Sequence, residues 1–266
     1  MYALSESRYE LVQTPSGALA VHDREIGETM HPNGPALEGT RLYVEPSRLR
    51  ERLAQASAKP LLLLDVGLGA ASNSLAALRV SESLSTGRRL SMLSFDRTLA
   101  PMQFALEKQF VDSAGARALA KLGSGFETPR SSWQLRLGDL REQLTRCPEA
   151  SADVVFWDPN SPRVQPALWN VSTFSILRRV CREGATVHTF SGATAVRAAL
   201  LLAGFAVGLG PALGPKQKRS TMAAVSARDL SEPLNRSWLR DLSASGLPDD
   251  APADALEQLH AAPQFR

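Results

Sequence analysis

Four aspartates, Asp65, Asp96, Asp139 and Asp158, stand at or just beyond the end of an apolar run, where a buried strand would hand the chain to a loop. A carboxylate so placed can accept hydrogen bonds from the hydroxyl or amino groups of a ligand. Asp65 is followed by Val66-Gly67-Leu68-Gly69. Glycines at 67 and 69 permit a sharp turn and close approach of a ligand to the backbone, and the next helix presents its N-terminal amides. Position 72 is Ser, so the dinucleotide pattern GxGxxG fails and a nicotinamide enzyme is disfavoured. Asp96 comes 27 residues after Gly69, where a carboxylate can accept both hydroxyls of a ribose, and Asp139, preceded by Gly138, is placed to touch an adenine amino group. Each of these two has a plainer alternative as a helix N-cap.

The most specific segment is Val154-Val155-Phe156-Trp157-Asp158-Pro159-Asn160-Ser161-Pro162, continuing to Pro166-Ala167-Leu168-Trp169. Apolar residues deliver Asp158 to a strand end, and Pro159, Pro162 and Pro166 stiffen the loop after it. Such a loop suits a reaction in which an amine must be held in line with an electrophile, for example a methyl on a sulfonium. A free alkylamine has a pKa near about 10, by analogy with lysine, and arrives protonated at neutral pH. A strand-end carboxylate can orient it and help dispose of the proton. Asp158 is the candidate for that role, with a structural turn as the alternative.

The elements that must hold these residues are set by hydrophobic pattern. The chain has 266 residues, 44% hydrophobic and 21% charged, enough for one substantial domain with appendages. Its longest apolar stretch, around Ala198 to Leu209, is broken by Gly204 and Gly208 and falls short of the roughly 20 residues a bilayer span needs. Residues 1–10 lack an apolar signal core, so no membrane association and a cytoplasmic location are expected. Cys147 and Cys181 lie outside any metal-binding spacing; two reduced, packed thiols and no metal are expected. The net charge of +3 conceals 25 Arg against five Lys, a choice that suits phosphate contact.

Residues 1–58 read as an extension: a hairpin from Tyr9 to Val21 around Thr14-Pro15-Ser16-Gly17, a Gly/Pro-rich connection, and a helix from Glu45 to Ala56. Residues 59–228 alternate strands and helices, with strands at 61–66, 90–95, 133–137, 153–157, 186–190, 205–209 and 221–227. Helices are expected at 71–78, 99–110, 167–180 and 193–203. The class is α/β, a seven-stranded, mostly parallel sheet covered on both faces, with an antiparallel hairpin at one edge. Residues 229–266 form a tail of short helices with a frayed end.

These residues resemble the MnmC-like methyltransferases, S-adenosylmethionine-dependent enzymes that methylate the aminomethyl group on the wobble uridine of certain tRNAs. The resemblance covers roughly Tyr9 to Ala227. It rests on Thr14 to Gly17, on Gly27-Glu28-Thr29-Met30-His31 with Gly34 and Glu38, and on Asp65 to Gly69. It rests further on Asp158 with Ser161-Pro162, Pro166 and Leu168-Trp169, and on Thr189-Phe190-Ser191, Ala195-Val196-Arg197, Leu201, Ala203-Gly204-Phe205 and Gly214-Pro215-Lys216.

The resemblance implies a class I, Rossmann-like methyltransferase fold with S-adenosyl-L-methionine as cofactor and tRNA as partner. By residue, it implies that Glu28 and His31 line the cofactor and substrate cleft. Gly67 and Gly69 would bracket the methionine part, Asp96 the ribose, Asp139 the adenine, and Asp158 both cofactor and reacting amine. Pro159 and Asn160 would meet the substrate, with Lys216, Lys218 and Arg219 holding phosphates. Arg178, Arg179 and Arg182 form a second basic cluster, and Trp157 or Trp169 could stack on a base. The sequence departs from the family pattern at Ala70-Ala71, where Thr-Gly is common, at Pro159-Asn160 in place of Gly-Phe, and at Pro32 in place of Ser. Bifunctional relatives carry a flavin-dependent oxidase domain, and the expectation for this chain is the methyltransferase alone. Two alternatives stay open: another amine as acceptor, and a cofactor-binding protein without catalysis.

Overall fold

The computed structural model describes residues 7–214 and 218–265. The chain opens with a hairpin of β1 (Tyr9–Gln13) and β2 (Leu19–Asp23), to which β3 (Glu28–Thr29) adds a third antiparallel strand. The turn closes where Thr14 N–H donates to the Ala18 carbonyl at 2.7 Å, with Gly17 at φ +83°. Tyr9 and Val21 on its inner face pack against Ala70, Phe104 and Ala105, which ties the hairpin to the glycine turn at 67–69.

A short α1 (Pro35–Glu38) runs into a π-helix over Gly39–Val44, and α2 (Leu49–Ala54) comes next. The single helix expected from Glu45 to Ala56 is therefore interrupted. Pro46 has no N–H to donate, and Arg48 turns to φ +51°, so the helix starts afresh at Leu49.

The core then alternates β4 (Leu61–Val66), α3 (Ser72–Glu82), β5 (Leu90–Asp96), α4 (Ala100–Glu107), α5 (Ser113–Lys121), β6 (Phe126–Glu127) and β7 (Ser131–Leu137). It continues with α6 (Leu140–Thr145), β8 (Ala152–Trp157), α7 (Val171–Val180), β9 (Cys181–Thr189), α8 (Thr194–Leu202), β10 (Ala206–Leu213) and β11 (Lys218–Ala224). The strands form one sheet in the order β10-β11-β9-β8-β4-β5-β7-β6. β7, β5, β4, β8 and β9 are parallel, and β10–β11 make the expected antiparallel edge. The sheet has eight strands rather than seven, because two-residue β6 pairs antiparallel with β7 at the opposite edge.

β4 carries Leu61, Leu63 and Leu64 without solvent exposure, as a strand covered on both faces must. Each such burial is worth about 1.5–3 kcal/mol. β4 lies between β5 and β8, where the winding of the sheet reverses, and ligands in open α/β sheets bind beyond the strand ends at that point. The tail is docked rather than frayed. α9 (Arg236–Arg240) and α10 (Ala255–Ala261) bury Leu239 and Leu259, and Phe265 joins the same core cluster. Gln264 fixes it by bonding Val207 N–H and the Val207 and Leu234 carbonyls, each at 2.7 Å. Among the described residues no helix is long and apolar enough to cross a membrane.

Candidate active site

Gly67 (φ +86°) and Gly69 (φ +51°) make the turn after β4. A Cβ on Gly67 would stand 2.3 Å from the Asp158 carbonyl oxygen and 2.8 Å from Pro159 Cα. The glycine turn and the Asp-Pro loop are thus seated directly on one another. Ala71, where a glycine is common in the family resembled, takes φ +65° and precedes α3, whose first amides have no side-chain cap.

Asp96 closes β5 and does not cap a helix. Its Oδ2 accepts from Gly69 N–H at 3.0 Å and its Oδ1 from Arg97 N–H at 2.7 Å, which leaves Oδ2 an acceptor position for a ligand hydroxyl. Asp139 does cap α6, accepting from the Arg141 and Glu142 amides, while its Oδ2 lies 3.7 Å from the Arg97 guanidinium. Behind the glycine turn Asp65 is buried. Its Oδ2 accepts from Ser74 Oγ at 2.6 Å and Ser94 Oγ at 2.8 Å, and Ser94 in turn accepts from Trp133 Nε1 at 2.9 Å. Among the described residues Asp65 Oδ1 has no partner, and burial pushes the carboxyl up to about 7.

Asp158 comes directly after β8, its N–H bonded to the Val66 carbonyl at 2.8 Å. Its Oδ2 accepts from Asn73 Nδ2 at 2.6 Å and lies 3.7 Å from His31 Nε2. On its other side the His31 ring places Nδ1 3.5 Å from Glu38 Oε2. The Asn33 backbone and side-chain N–H groups, both at 2.7 Å, hold Glu38 Oε1. The Tyr43 hydroxyl, buried on the π-helix, faces the same carboxylate. Burial lifts the Asp158 carboxyl to about 6, against the opposing pull of the His31 ring.

These groups open on a cavity of about 970 Å³ whose walls come from the N-terminal extension and from the loops after β4, β5, β7 and β8. Gly67, Gly69, Asp96 and Asp139 line it beside the apolar Leu68, Phe95 and Leu140. Asp158, Pro159, Asn160, His31 and Lys218 line the other side. Glu28 also lines it, with its carboxylate engaged: it accepts from Ser161 N–H at 3.1 Å, from Ser161 Oγ and from Arg163 at 3.1 Å, clasping the proline-rich loop to the hairpin.

Arg219 stands apart from the cavity, its guanidinium spent on the Gly210 carbonyl and Glu232, and Lys216 lies outside the described residues. The second basic cluster is structural. Arg178 bonds the Gly204 carbonyl, Arg179 the carbonyls of Leu144, Thr145 and Cys147, and Arg182 the buried Asp153. Trp157 and Trp169 are both buried in the core, so neither is free to stack on a base. Sequence reasoning missed Asn73 and Tyr43. Asn73 is close enough to the glycine turn to be found by asking what the first turn of α3 carries; nothing in the sequence announces the π-helix that turns Tyr43 inward.

A family model for S-adenosyl-L-methionine-dependent methyltransferases matches residues 104–227. The bifunctional tRNA 5-methylaminomethyl-2-thiouridine biosynthesis protein MnmC of Aeromonas salmonicida is 27% identical over 208 residues, 69% of this chain and 30% of that protein. MnmC of Pseudomonas fluorescens strain Pf0-1 is 31% identical over 196 residues, 68% of this chain and 29% of its own length. The matched region thus spans less than a third of these relatives. Among solved structures, MNMC2 of Aquifex aeolicus superposes with a TM-score of 0.74 at 26% identity, covering 97% of this chain and 85% of that one. Spermidine synthase of Thermotoga maritima, with a TM-score of 0.52 at 15% identity over 84% of this chain and 72% of its own, shares the fold. With the sheet reversal, the glycine turn and the aspartate at the end of β8 in one cavity, the chain is an S-adenosyl-L-methionine-dependent methyltransferase similar to the MnmC-like enzymes.

Proposed function

We propose that the chain methylates the aminomethyl nitrogen on the wobble uridine of a tRNA, in the cytoplasm, with Asp158 as the catalytic residue. The observation that carries this reading is the seat of Asp158: a buried carboxylate pressed against the cofactor-side glycine turn, inside a cavity with room for both reactants.

The residues present fit the cofactor. Gly67 and Gly69 bring backbone to the cavity wall, and the first turn of α3 carries no capping side chain to fill the space before it. Asp96 keeps an acceptor position for ribose, and Asp139 lines the same cavity for the adenine, as do the apolar Phe95 and Leu140. Bound S-adenosyl-L-methionine supplies an electrophilic methyl on a sulfonium and leaves as a neutral thioether. The protein's part is to deliver a neutral nitrogen. Asp158 accepts a proton from the ammonium: the N–H bond breaks, a carboxylic O–H forms, and the freed lone pair is held in line for attack. Asn73, donating to Asp158 Oδ2, fixes the carboxylate's rotamer, and Pro159 and Asn160 keep the loop rigid against water. Glu28 acts through Ser161 and Arg163 by holding that loop to the hairpin. Lys218 at the cavity wall is placed for a phosphate of the RNA.

The test is transfer of a labelled methyl to tRNA carrying 5-aminomethyluridine at the wobble position, against the same tRNA without it and against small alkylamines. Label in the first alone supports the reading. Equal or faster label in the small amines replaces tRNA with another acceptor, and no label in any overturns catalysis.

A further inference from the structure

His31 is held from both sides by carboxylates on two other elements. Its Nδ1 faces Glu38 of α1 at 3.5 Å and its Nε2 faces Asp158 after β8 at 3.7 Å, with only 8% of the side chain exposed. The backbone bends to place it there, at φ +55° in the left-handed region, which costs an L-residue about 1–2 kcal/mol. Glu38 is itself fixed by the two Asn33 donors, so the ring has a rigid brace behind it. Orienting an amine needs only the Asp158 carboxylate; the strained, doubly flanked imidazole calls for its own explanation.

We propose that His31 is a positioning residue whose cationic ring, braced by Glu38, keeps the Asp158 carboxylate charged and aimed at the acceptor nitrogen. This role rests on Asp158 being the proton acceptor of the proposed function. Burial by itself would depress the His31 ring, but the bond to Glu38 and the charges of Asp158, Glu38 and Asp65 outweigh it and hold the ring above the ordinary histidine value. The groups facing Asp158 are His31, the Tyr43 hydroxyl, the Asn73 amide and Glu38, and Glu38, being negative, opposes its ionisation. The ring between the two carboxylates is what makes a second buried negative charge tolerable.

Two measurements on the full chain test this. The first is NMR titration of isotopically labelled imidazoles in the wild type and in Asp158→Asn, without any substrate. His31 should titrate above the ordinary histidine range in the wild type and about one pH unit or more lower in the variant. The second is the pH profile of kcat/KM for the wild type, His31→Asn, which tolerates the left-handed backbone, and Glu38→Gln, which keeps an oxygen for Asn33. His31→Asn should lose rate at neutral pH, move the acid limb upward by about 1–3 pH units and recover rate in alkali, whereas Glu38→Gln, which removes the brace together with a charge opposing ionisation of Asp158, should move the limb less and lower the His31 titration. Variants with rates lowered equally at every pH overturn the proposal in favour of a purely structural histidine, as does a His31 titration indifferent to Asp158. If His31→Asn does not fold, the His31 titration in Asp158→Asn and Glu38→Gln decides. A wild type that transfers no methyl to the aminomethyl acceptor overturns the function and with it this role, and is told apart because the NMR coupling survives.

Discussion

Replacing Gly67 by Ala strikes the contact on which the site is built. The added Cβ would lie 2.3 Å from the Asp158 carbonyl oxygen, where ordinary contacts begin at 3.4 Å, so about 1 Å must open between the end of β4 and the Asp158–Pro159 backbone. Neither side yields easily. Val66 is in register with Trp157, Asp158 N–H is bonded to the Val66 carbonyl, and Pro159 stiffens the start of the loop. The φ of +86° adds about 1–2 kcal/mol for a left-handed alanine, and overpacking about 1–3 kcal/mol more. For a chain of this length that lowers Tm by roughly 5–15 °C. A displacement of about 1 Å at the proposed reacting carboxylate costs on the order of 100-fold in rate, and cofactor affinity falls with it because the same glycine forms the proposed cofactor wall. Calorimetry with S-adenosyl-L-methionine and steady-state methyl transfer read both effects. Gly123→Ala, a position with open space and no positive φ, serves as the neutral control. A Gly67→Ala protein that binds cofactor and turns over within about threefold of wild type would refute the claim that the two loops are pressed together.

Asp158→Asn should lose about 10²–10⁴-fold in transfer while still binding cofactor, and the wild-type rate should fall as pH drops below about 6, where the carboxyl takes up its proton; a rate flat to well below that value contradicts the assignment. Asp65, pushed up to about 7 by burial, favours its neutral form in the fold, so its contribution to stability is present below the ordinary value of 3.8 and is lost as pH rises through about 7. Melting curves should therefore show a wild-type Tm that declines from acid to mildly alkaline buffer and an Asp65→Asn Tm that declines less; identical slopes would show that burial does not raise the Asp65 carboxyl. Ala71→Gly relieves a left-handed alanine at about 1–2 kcal/mol and adds back about 0.5–1 kcal/mol of chain entropy, so Tm should rise by a few degrees, and a fall would show the conformation to be unstrained.

The parallel core was legible because β4, β5 and β8 are long apolar runs that end in Asp or run into it, a pattern that states both the strand and the edge where a ligand meets it. The hairpin was legible from Thr14 to Gly17. What the sequence hid was set by packing. α5 escaped because it is only nine residues long and carries Gly115 in its first turn, although Asp112 caps it by accepting from Gly115 N–H. The break before α2 turns on Pro46 and on a left-handed Arg48 that no pattern marks. At the site, Asp96 and Asp158 were visible as strand-end carboxylates, whereas Tyr43 and the Asn73 bond depend on how the π-helix and α3 lean over the loop after β8. Arg219 looked free in the sequence because its partners, the Gly210 carbonyl and Glu232, lie nine or more residues away along the chain.

The most direct measurement is nucleoside mass analysis of tRNA bearing 5-aminomethyl-2-thiouridine at the wobble position, after incubation with the purified chain and S-adenosyl-L-methionine. This nucleoside should gain one methyl group on its side-chain nitrogen with the wild type and not with Asp158→Asn. An unchanged nucleoside, alongside calorimetric proof that the cofactor is bound, would contradict the assignment of Asp158 to an aminomethyl acceptor.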